Sequence, residues 1–186
     1  GCLRIGMDAH TLDGLRQGVR TVVENLAEQF ARIGRPHEYV LYHKGARRWP
    51  ASNGTVRHRA IPTNSGKLNQ VVGFPLYAAL DGVDLLHLHY VAPPFCPSPY
   101  VVTVHDILYE RFPQFFGARH TSLLKVLVRL AARRARHVIA VSEFTRRELI
   151  ERYGLRGEAV SAIPLGVSGR FQPPSAAVVG EALGRL

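Results

Sequence analysis

The sequence has few cysteines, no long hydrophobic run and few acidic residues. Cys2 and Cys96 are its only cysteines, which excludes a disulfide framework and a zinc site built from several thiolates. No apolar run approaches the roughly 20 residues that a membrane-spanning helix needs. Residues 1–5 also lack the apolar core of a secretory signal peptide. These absences predict a soluble, cytoplasmic protein.

Lysine and arginine outnumber aspartate and glutamate by 24 to 14, which gives a formal net charge of +10. All but three of these cations are arginines; the exceptions are Lys44, Lys67 and Lys125. Such a surplus fits an anionic partner, whether phosphate, nucleotide, acidic membrane or nucleic acid, and arginine can contact phosphate with two parallel hydrogen bonds. The base composition of the genome also explains the preference for arginine, so the charge does not choose among these partners.

Segments with strand and helix patterns alternate along the chain. The predicted strands lie at residues 3–8, 39–42, 56–62, 83–89, 100–104, 137–141 and 160–163, and the predicted helices at 18–33, 67–80, 117–135 and 143–153. This alternation predicts a single α/β, Rossmann-like domain over residues 1–163, with a mostly parallel sheet flanked by helices. Residues 164–186 are predicted to be a linker followed by the start of another domain.

Polar residues follow several of these strands directly. Three strands are each followed by a pair: Asp8 and His10, His89 and Tyr90, and His105 and Asp106. Ligands of open α/β sheets bind beyond the carboxyl ends of the strands, so we predict the functional site there, although every strand must end in something polar.

His105 has two interpretations at this position. It is either a general base or hydrogen-bond donor, or a strand-end histidine whose ring is satisfied by backbone groups. His10, His89 and His105 could also converge on a zinc ion, but no spacing is diagnostic, and we predict no metal site.

Gly14 and Gly18 bracket the loop that enters the first helix. Glycines there let backbone amides approach a phosphate, although the spacing is not that of the dinucleotide fingerprint and glycines also serve simply as turn residues.

Lys125, Arg129 and Arg133 recur every four residues beside apolar positions. This pattern indicates a basic amphipathic helix that either contacts anionic lipid headgroups or is merely a solvated face. No nucleic-acid-binding motif accompanies it, so nucleic acid is not a predicted partner.

Several motifs, taken in order, resemble those of the family 4 glycosyltransferases. They are IGMDA (5–9), a glycine-opened helix carrying VENL (23–26), HEYVL (37–41), PYVVTVHD (99–106), VIAVSEFTRREL (138–149) and IPLGV (163–167). Together they extend over nearly the whole chain.

The resemblance implies the N-terminal, acceptor-side domain of a GT-B enzyme. In that architecture a second Rossmann-like domain holds a nucleotide-sugar donor, and the sugar is transferred with retention of configuration and without a metal. Gly18 would approach the donor diphosphate, His105 would lie close to the transferred sugar, and Asp106 and Tyr109 would face the acceptor. Asp8 and His89, at the same strand ends, are predicted to contact the acceptor as well.

The chain departs from the family pattern in two ways. Arg20 stands where members often have a second glycine, which predicts that its guanidinium either replaces a backbone contact to the donor phosphate or blocks it. The resemblance also implies that the C-terminal half, with the donor-binding glutamates of the family, is expected beyond Leu186, so we expect residues 1–186 alone to be inactive.

The resemblance also implies a set of partners. They are a nucleotide sugar, a saccharide or lipid-linked acceptor, the C-terminal domain, and the anionic inner face of the plasma membrane as a peripheral contact. Two alternatives stay open: a non-catalytic nucleotide or phospho-ligand binding module, and a basic nucleic-acid-binding domain.

Overall fold

The computed structural model describes residues 1–13, 18–33, 36–45, 54–62, 69–167 and 180. Within them, seven strands form one sheet in the order β3-β2-β1-β4-β5-β6-β7, and every neighbouring pair is parallel. The strands are β1 (Arg4–Asp8), β2 (Glu38–His43), β3 (Val56–Ala60), β4 (Leu85–His89), β5 (Tyr100–Val104), β6 (His137–Ala140) and β7 (Val160–Ala162). The predicted Rossmann-like α/β fold with a parallel sheet is confirmed.

The described helices are α1 (Gly18–Ile33), α2 (Phe74–Leu80), α3 (Leu108–Arg111), α4 (Ala118–Arg134) and α5 (Glu143–Tyr153). Short 3₁₀ turns occupy His10–Asp13, Pro113–Phe115 and Gly157–Ala159, and a π turn occupies Asn69–Gly73. Gly14, Lys67 and the segments 168–179 and 181–186 lie outside the described residues, and so do the predictions made for them.

Helix α5 begins and ends as its sequence predicts. The Ser142 hydroxyl accepts a hydrogen bond from the Thr145 amide in the first turn, which satisfies one of the amides that a helix start leaves free. Gly154 follows the last turn with φ of +64°, a conformation that glycine adopts without steric cost.

Helix α2 is shorter than the helix predicted over 67–80. Pro75 lies in its first turn, where the missing amide hydrogen of proline costs nothing. The position of Pro75 thus fits a regular α-helix that begins at Phe74, directly after the π turn.

The strand order places hydrophobic cores on both faces of the sheet. The chain runs from β1 to β2 and β3 in one direction and then from β4 to β7 in the other, so right-handed crossovers put α1 on one face and the later helices on the other. Met7 and Val23 belong to the core under α1, whereas Leu86, Val128 and Leu149 belong to the core on the opposite face. The direction in which successive strands are added to the sheet reverses between β1 and β4. Open α/β sheets bind their ligands at such a position.

Candidate active site at the carboxyl ends of the strands

The strand order brings the predicted site residues together at one edge of the sheet. Asp8 ends β1, His89 ends β4, and His105 directly follows β5. Because β1, β4 and β5 are consecutive neighbours in a parallel sheet, these three side chains lie at the same edge. The structure thus brings these residues together at the carboxyl ends of the strands, and the role of each residue stays a prediction.

A row of imidazoles runs from the interior of the sheet to this edge. His87 and His89 alternate onto the same face of β4, with ring centroids 5.1 Å apart, and the His105 ring lies 5.6 Å beyond that of His89. His87 Nε2 pairs with Thr103 Oγ1 at 2.8 Å, and His89 Nδ1 lies 3.4 Å from His105 Nε2. The outermost ring is thus positioned by the two behind it.

These imidazoles are neutral at neutral pH. Burial, reinforced by the positive charge that a neighbouring ring would carry, lowers the pKa of His87 to about 4 and that of His89 to about 3. Burial also lowers the pKa of His105, although the nearby Asp106 carboxylate opposes it. In a neutral pair, one ring nitrogen donates and the other accepts, so this contact couples the tautomers of His89 and His105.

His89 has one unpaired nitrogen. Its ring is 5% exposed, and its Nε2 is buried with no hydrogen-bond partner among the described residues. Buried polar groups are nearly always paired, so this atom indicates a place where a ligand or a water molecule completes the structure.

The Asp8 carboxylate is held by His10. Its Oδ1 lies 2.7 Å from His10 Nδ1 and accepts a hydrogen bond from the His10 amide at 3.1 Å. Burial raises the pKa of Asp8, but these contacts with His10 outweigh it and hold the pKa below its ordinary value. Asp8 is therefore ionised at neutral pH and can accept hydrogen bonds from ligand hydroxyl groups.

Asp106 bonds to Tyr90 and to backbone. The Tyr90 hydroxyl donates to Asp106 Oδ2 at 3.1 Å, and Oδ1 accepts from the Leu108 amide at 3.1 Å. The Tyr90 ring lies 5.4 Å from that of His105. Tyr90 has φ of +60°, a conformation that costs a bulky residue energy and occurs most often at functional sites.

The structure corrects the prediction made for Tyr109. This residue is 4% exposed within the core, and its hydroxyl pairs with that of Tyr153 at 3.1 Å. The side chain belongs to the core on the face opposite α1 and reaches Tyr153 at the end of α5. Tyr109 therefore has a structural position, and the described structure gives it no access to an acceptor.

Gly18 and Arg20 lie at the start of α1, the helix that follows β1. Gly18 is exposed at the first helical position, where amides are free to bind an anion. A Cβ atom added there would meet nothing within 4 Å. Arg20 is 8% exposed, and its Nε donates to Glu24 Oε1 at 2.7 Å. A contact between this guanidinium and a donor phosphate stays a prediction.

An apolar groove adjoins the histidine row on the face that carries α1. It is a cavity of about 1060 Å³ between α1 and the sheet, with Gly18, His87 and Thr103 in its lining and residues 163–167 along it. His105, on the same face, is partly exposed. The innermost ring of the row, His87, therefore lines the groove, and the partly exposed His105 is not sealed in the interior.

Two features of the site were missed from the sequence. The pairing of His87 with Thr103 depends on the register between β4 and β5, although the alternation His87-Leu88-His89 does indicate that both rings share a face. The backbone conformation of Tyr90 has no signal in the sequence. Among the described residues, no group of three or more histidine, cysteine, aspartate or glutamate side chains is arranged to hold a metal ion.

Comparisons with known proteins identify the family. A sequence model of Glycosyltransferase Family 4 matches residues 16–168. Among solved structures, Anabaena Alr3699/HepE in complex with UDP-glucose has a TM-score of 0.62 at 18% identity, over 98% of this chain and 49% of that one. A glycosyltransferase from Rickettsia africae ESF-5 gives 0.53 at 15% identity, over 98% and 49%. The apo form of the lipopolysaccharide outer core galactosyltransferase WaaB gives 0.53 at 12%, over 94% and 50%.

The chain thus spans about half the length of the solved structures that it matches. A search of curated proteins returned no match. The fold agrees with the Rossmann-like half of a GT-B enzyme that the motifs predict. Because the family model extends over most of the chain, from just before α1 to just after β7, the chain belongs to glycosyltransferase family 4.

Proposed function

We propose that this chain is the acceptor-binding, N-terminal half of a retaining glycosyltransferase. The enzyme moves a hexose, mannosyl or glucosyl, from a nucleotide-sugar donor to a saccharide or lipid-linked acceptor. A cytoplasmic enzyme of bacterial polysaccharide or glycolipid synthesis fits this chemistry. The second half holds the donor, and the boundary lies near residue 164.

One observation carries the proposal. One edge of the sheet carries the ionised Asp8 carboxylate, the neutral His89–His105 pair and the amides at the start of α1, next to the point between β1 and β4 where the strand order reverses. A sugar donor needs these three kinds of group: hydrogen-bond acceptors for its hydroxyl groups, an uncharged polar side chain beside the sugar ring, and the positive end of a helix dipole for the diphosphate.

Each group has a proposed role in the transition state. Positive charge develops on the sugar ring and negative charge on the leaving diphosphate. The amides from Gly18 onward stabilise the diphosphate, and the Arg20 guanidinium adds positive charge beside it. The neutral His105 ring donates a hydrogen bond near the transferred sugar without placing a cation against the developing charge.

The acceptor side is formed by carboxylates and imidazole. Asp8 and Asp106 accept hydrogen bonds from acceptor hydroxyl groups, and the unpaired Nε2 of His89 offers a further contact at the same edge. Tyr109 is left out of this set because its hydroxyl bonds to Tyr153 in the core.

The solved structures support the nucleotide-sugar part of the proposal. HepE was solved with UDP-glucose and with UDP and glucose, and WaaB is named a galactosyltransferase. We propose that no metal ion takes part, since amides and arginine supply the positive potential that the diphosphate needs. Transfer by the enzyme is then insensitive to a chelator of divalent cations.

The proposal is tested on the chain itself by titrating the ¹⁵N-labelled protein with UDP. We expect the amide signal of Gly18 to shift while that of Glu143, at the start of the capped helix α5, does not. Equal shifts at both helix starts, or none at Gly18, would contradict a diphosphate site. A transfer assay on the purified chain should give no product because one wall of the cleft cannot stabilise both charges, and measurable turnover would contradict the requirement for a second half.

A further inference from the structure

A group of exposed aromatic side chains lies beside the acceptor side of the site. Phe115 is 78% exposed, Phe144 50% and Phe112 40%. The ring centroids of Phe112 and Phe115 are 6.3 Å apart, with the rings inclined at 49°. The guanidinium carbon of Arg111 lies 6.0 Å from the Phe112 centroid and 5.4 Å from the Phe144 centroid. We call these four side chains the aromatic array.

The array is a connected surface. Single apolar side chains are common on protein surfaces and need no explanation; Phe95, which is 83% exposed in the loop between β4 and β5, lies outside the array. In the array, one guanidinium joins the rings of Phe112 and Phe144 at distances typical of cation–π contacts. Contiguous apolar surface of this kind marks a contact or ligand-binding site.

The fold places the array at the edge of the sheet that carries the site. One part belongs to α3 and the turn after it, which follow β5, and the other part belongs to α5, which follows the parallel neighbour β6. Two hydrogen bonds connect these elements with the site. The Leu108 amide donates to Asp106 Oδ1 at 3.1 Å, and the Thr145 hydroxyl donates to the His105 carbonyl at 3.4 Å. The array therefore continues the surface that starts at His105 and Asp106.

The backbone under the array is held in place by hydrogen bonds. The Phe112 amide donates to the Leu108 carbonyl at 2.8 Å, and the Phe115 amide donates to the Phe112 carbonyl at 3.2 Å. Helix α5, which carries the third ring, is capped by Ser142. Because a phenylalanine side chain has only two rotatable bonds and its backbone is fixed, little conformational entropy is lost when a ligand binds.

The charged side chains beside the array are paired. Arg111 Nη1 lies 3.9 Å from Glu148 Oε1, and Glu148 Oε2 accepts a hydrogen bond from Arg152 at 2.6 Å. Glu110 pairs with Lys125 of α4 at 3.2 Å. The array therefore combines aromatic faces with nearly balanced charge, which suits an uncharged polar ligand better than a polyanion.

Two of the three cations predicted to make α4 a basic helix are thus paired within the protein. Besides the contact of Lys125 with Glu110, Arg133 Nε donates to the Tyr153 carbonyl at 2.8 Å. Contact of α4 with an anionic membrane stays a prediction. None of the helices in the described ranges is long and apolar enough to cross a membrane.

We propose that the aromatic array stacks against sugar rings of a neutral saccharide acceptor, next to the unit that receives the transferred sugar. The inference rests on the proposed function and names the acceptor class: a saccharide of two or more units, recognised through its ring faces. A pyranose ring presents a face of C–H groups that lies favourably against the negative face of an aromatic ring. Arg111, which at 3.9 Å is beyond hydrogen-bond distance of Glu148, can donate to the sugar hydroxyl groups. An alkyl chain would cover the rings but would leave this guanidinium without a partner.

Saturation-transfer NMR on the chain tests the proposal, with maltoheptaose as the probe. When the aromatic protons of the protein are irradiated, we expect transfer to the C–H protons of maltoheptaose and much less to those of glucitol, which has similar hydroxyl groups but no ring. Phe115→Leu keeps an apolar side chain without the aromatic face, so it should bind maltoheptaose about fivefold more weakly. Phe115→Trp should bind at least as tightly as the parent. The matched control is Phe95→Leu, which should bind as the parent does.

Three results would overturn the proposal. One is equal binding of maltoheptaose by the parent and by Phe115→Leu at the same thermal midpoint. Another is transfer from the parent to octyl glucoside that is confined to the alkyl protons and unchanged in Phe115→Leu, which would assign the array to a lipid chain. The third is self-association of the parent that Phe115→Leu abolishes, with no transfer to maltoheptaose, which would assign the array to a second copy.

The UDP titration separates this proposal from the proposed function. A shift of the Gly18 amide with UDP, without transfer to maltoheptaose, would contradict the aromatic array alone. No shift at Gly18 would contradict the transferase itself, whatever the saccharide does.

Discussion

The buried imidazoles His87 and His89 should make this fold sensitive to mild acid. In the folded chain, burial and the adjacent ring lower their pKa values to about 4 and about 3, whereas an unfolded histidine titrates near pKa 6.5. The unfolded state therefore binds protons that the folded state does not. The stability that these rings provide is complete above about pH 6.5 and is lost as the pH falls toward the folded pKa values.

The size of the effect follows from the interval between the pH and the pKa of the unfolded histidine. About pH 5 lies about 1.5 pH units below that pKa, so the free energy of unfolding has fallen by about 2 kcal/mol for each ring and by about 4 kcal/mol for the pair. That is a large part of the roughly 5–15 kcal/mol typical of a folded domain. The lowered pKa of His105 acts in the same direction. The stability that Asp8 provides is present above about pH 4 and is lost only below it, because its folded pKa lies below the ordinary carboxyl value of 3.8.

Urea unfolding near pH 7 and near pH 5 measures this loss. Glutamine keeps a polar, neutral side chain that does not titrate, so His87→Gln and His89→Gln should each reduce the difference in unfolding free energy between the two pH values by about 2 kcal/mol. The double variant should reduce it by about the sum. If all three variants lose as much stability as the parent, the rings are not held neutral by burial, and the reasoning fails.

Three further outcomes can be measured by urea unfolding. Gly6→Ala should destabilise the fold by about 1–3 kcal/mol, since its Cβ would lie 3.0 Å from Leu86 Cδ2. An unchanged free energy of unfolding would show that the core accommodates the added methyl group. Tyr109→Phe should cost about 1 kcal/mol because it removes the buried hydrogen bond to the Tyr153 hydroxyl, while acceptor affinity stays the same. Lost affinity without lost stability would return Tyr109 to the site. Ser142→Ala should cost about 1 kcal/mol by removing the cap of α5, whereas Ser142→Asp should retain the cap and the stability.

The sequence carried enough information to predict the sheet and the edge that bears the site. Apolar runs such as residues 100–104 indicate strands buried on both faces, and the order of strands and helices leaves few topologies open. Once the sheet is parallel, Asp8, His89 and His105 must lie at one edge. These predictions depend on local pattern and on the handedness of the crossovers.

The side-chain partners could not be predicted in the same way. Tyr109 lies five residues after the end of β5, and only the packing of α3 against α5 turns its hydroxyl toward Tyr153. The directions of Lys125 and Arg133 likewise depend on contacts with Glu110 and with the backbone of α5. Spacing along one helix contains no information about the elements packed against it.

Sugar transfer by the enzyme that joins this domain to its donor-binding half tests the central claim most directly. The claim is that His105 lies against the transferred sugar and acts as a neutral hydrogen-bond donor. His105→Ala should lower kcat about 100-fold or more, with little change in KM for the nucleotide sugar, while Tyr109→Phe should keep the parental kcat. Near-parental turnover by a correctly folded His105→Ala enzyme would contradict the account.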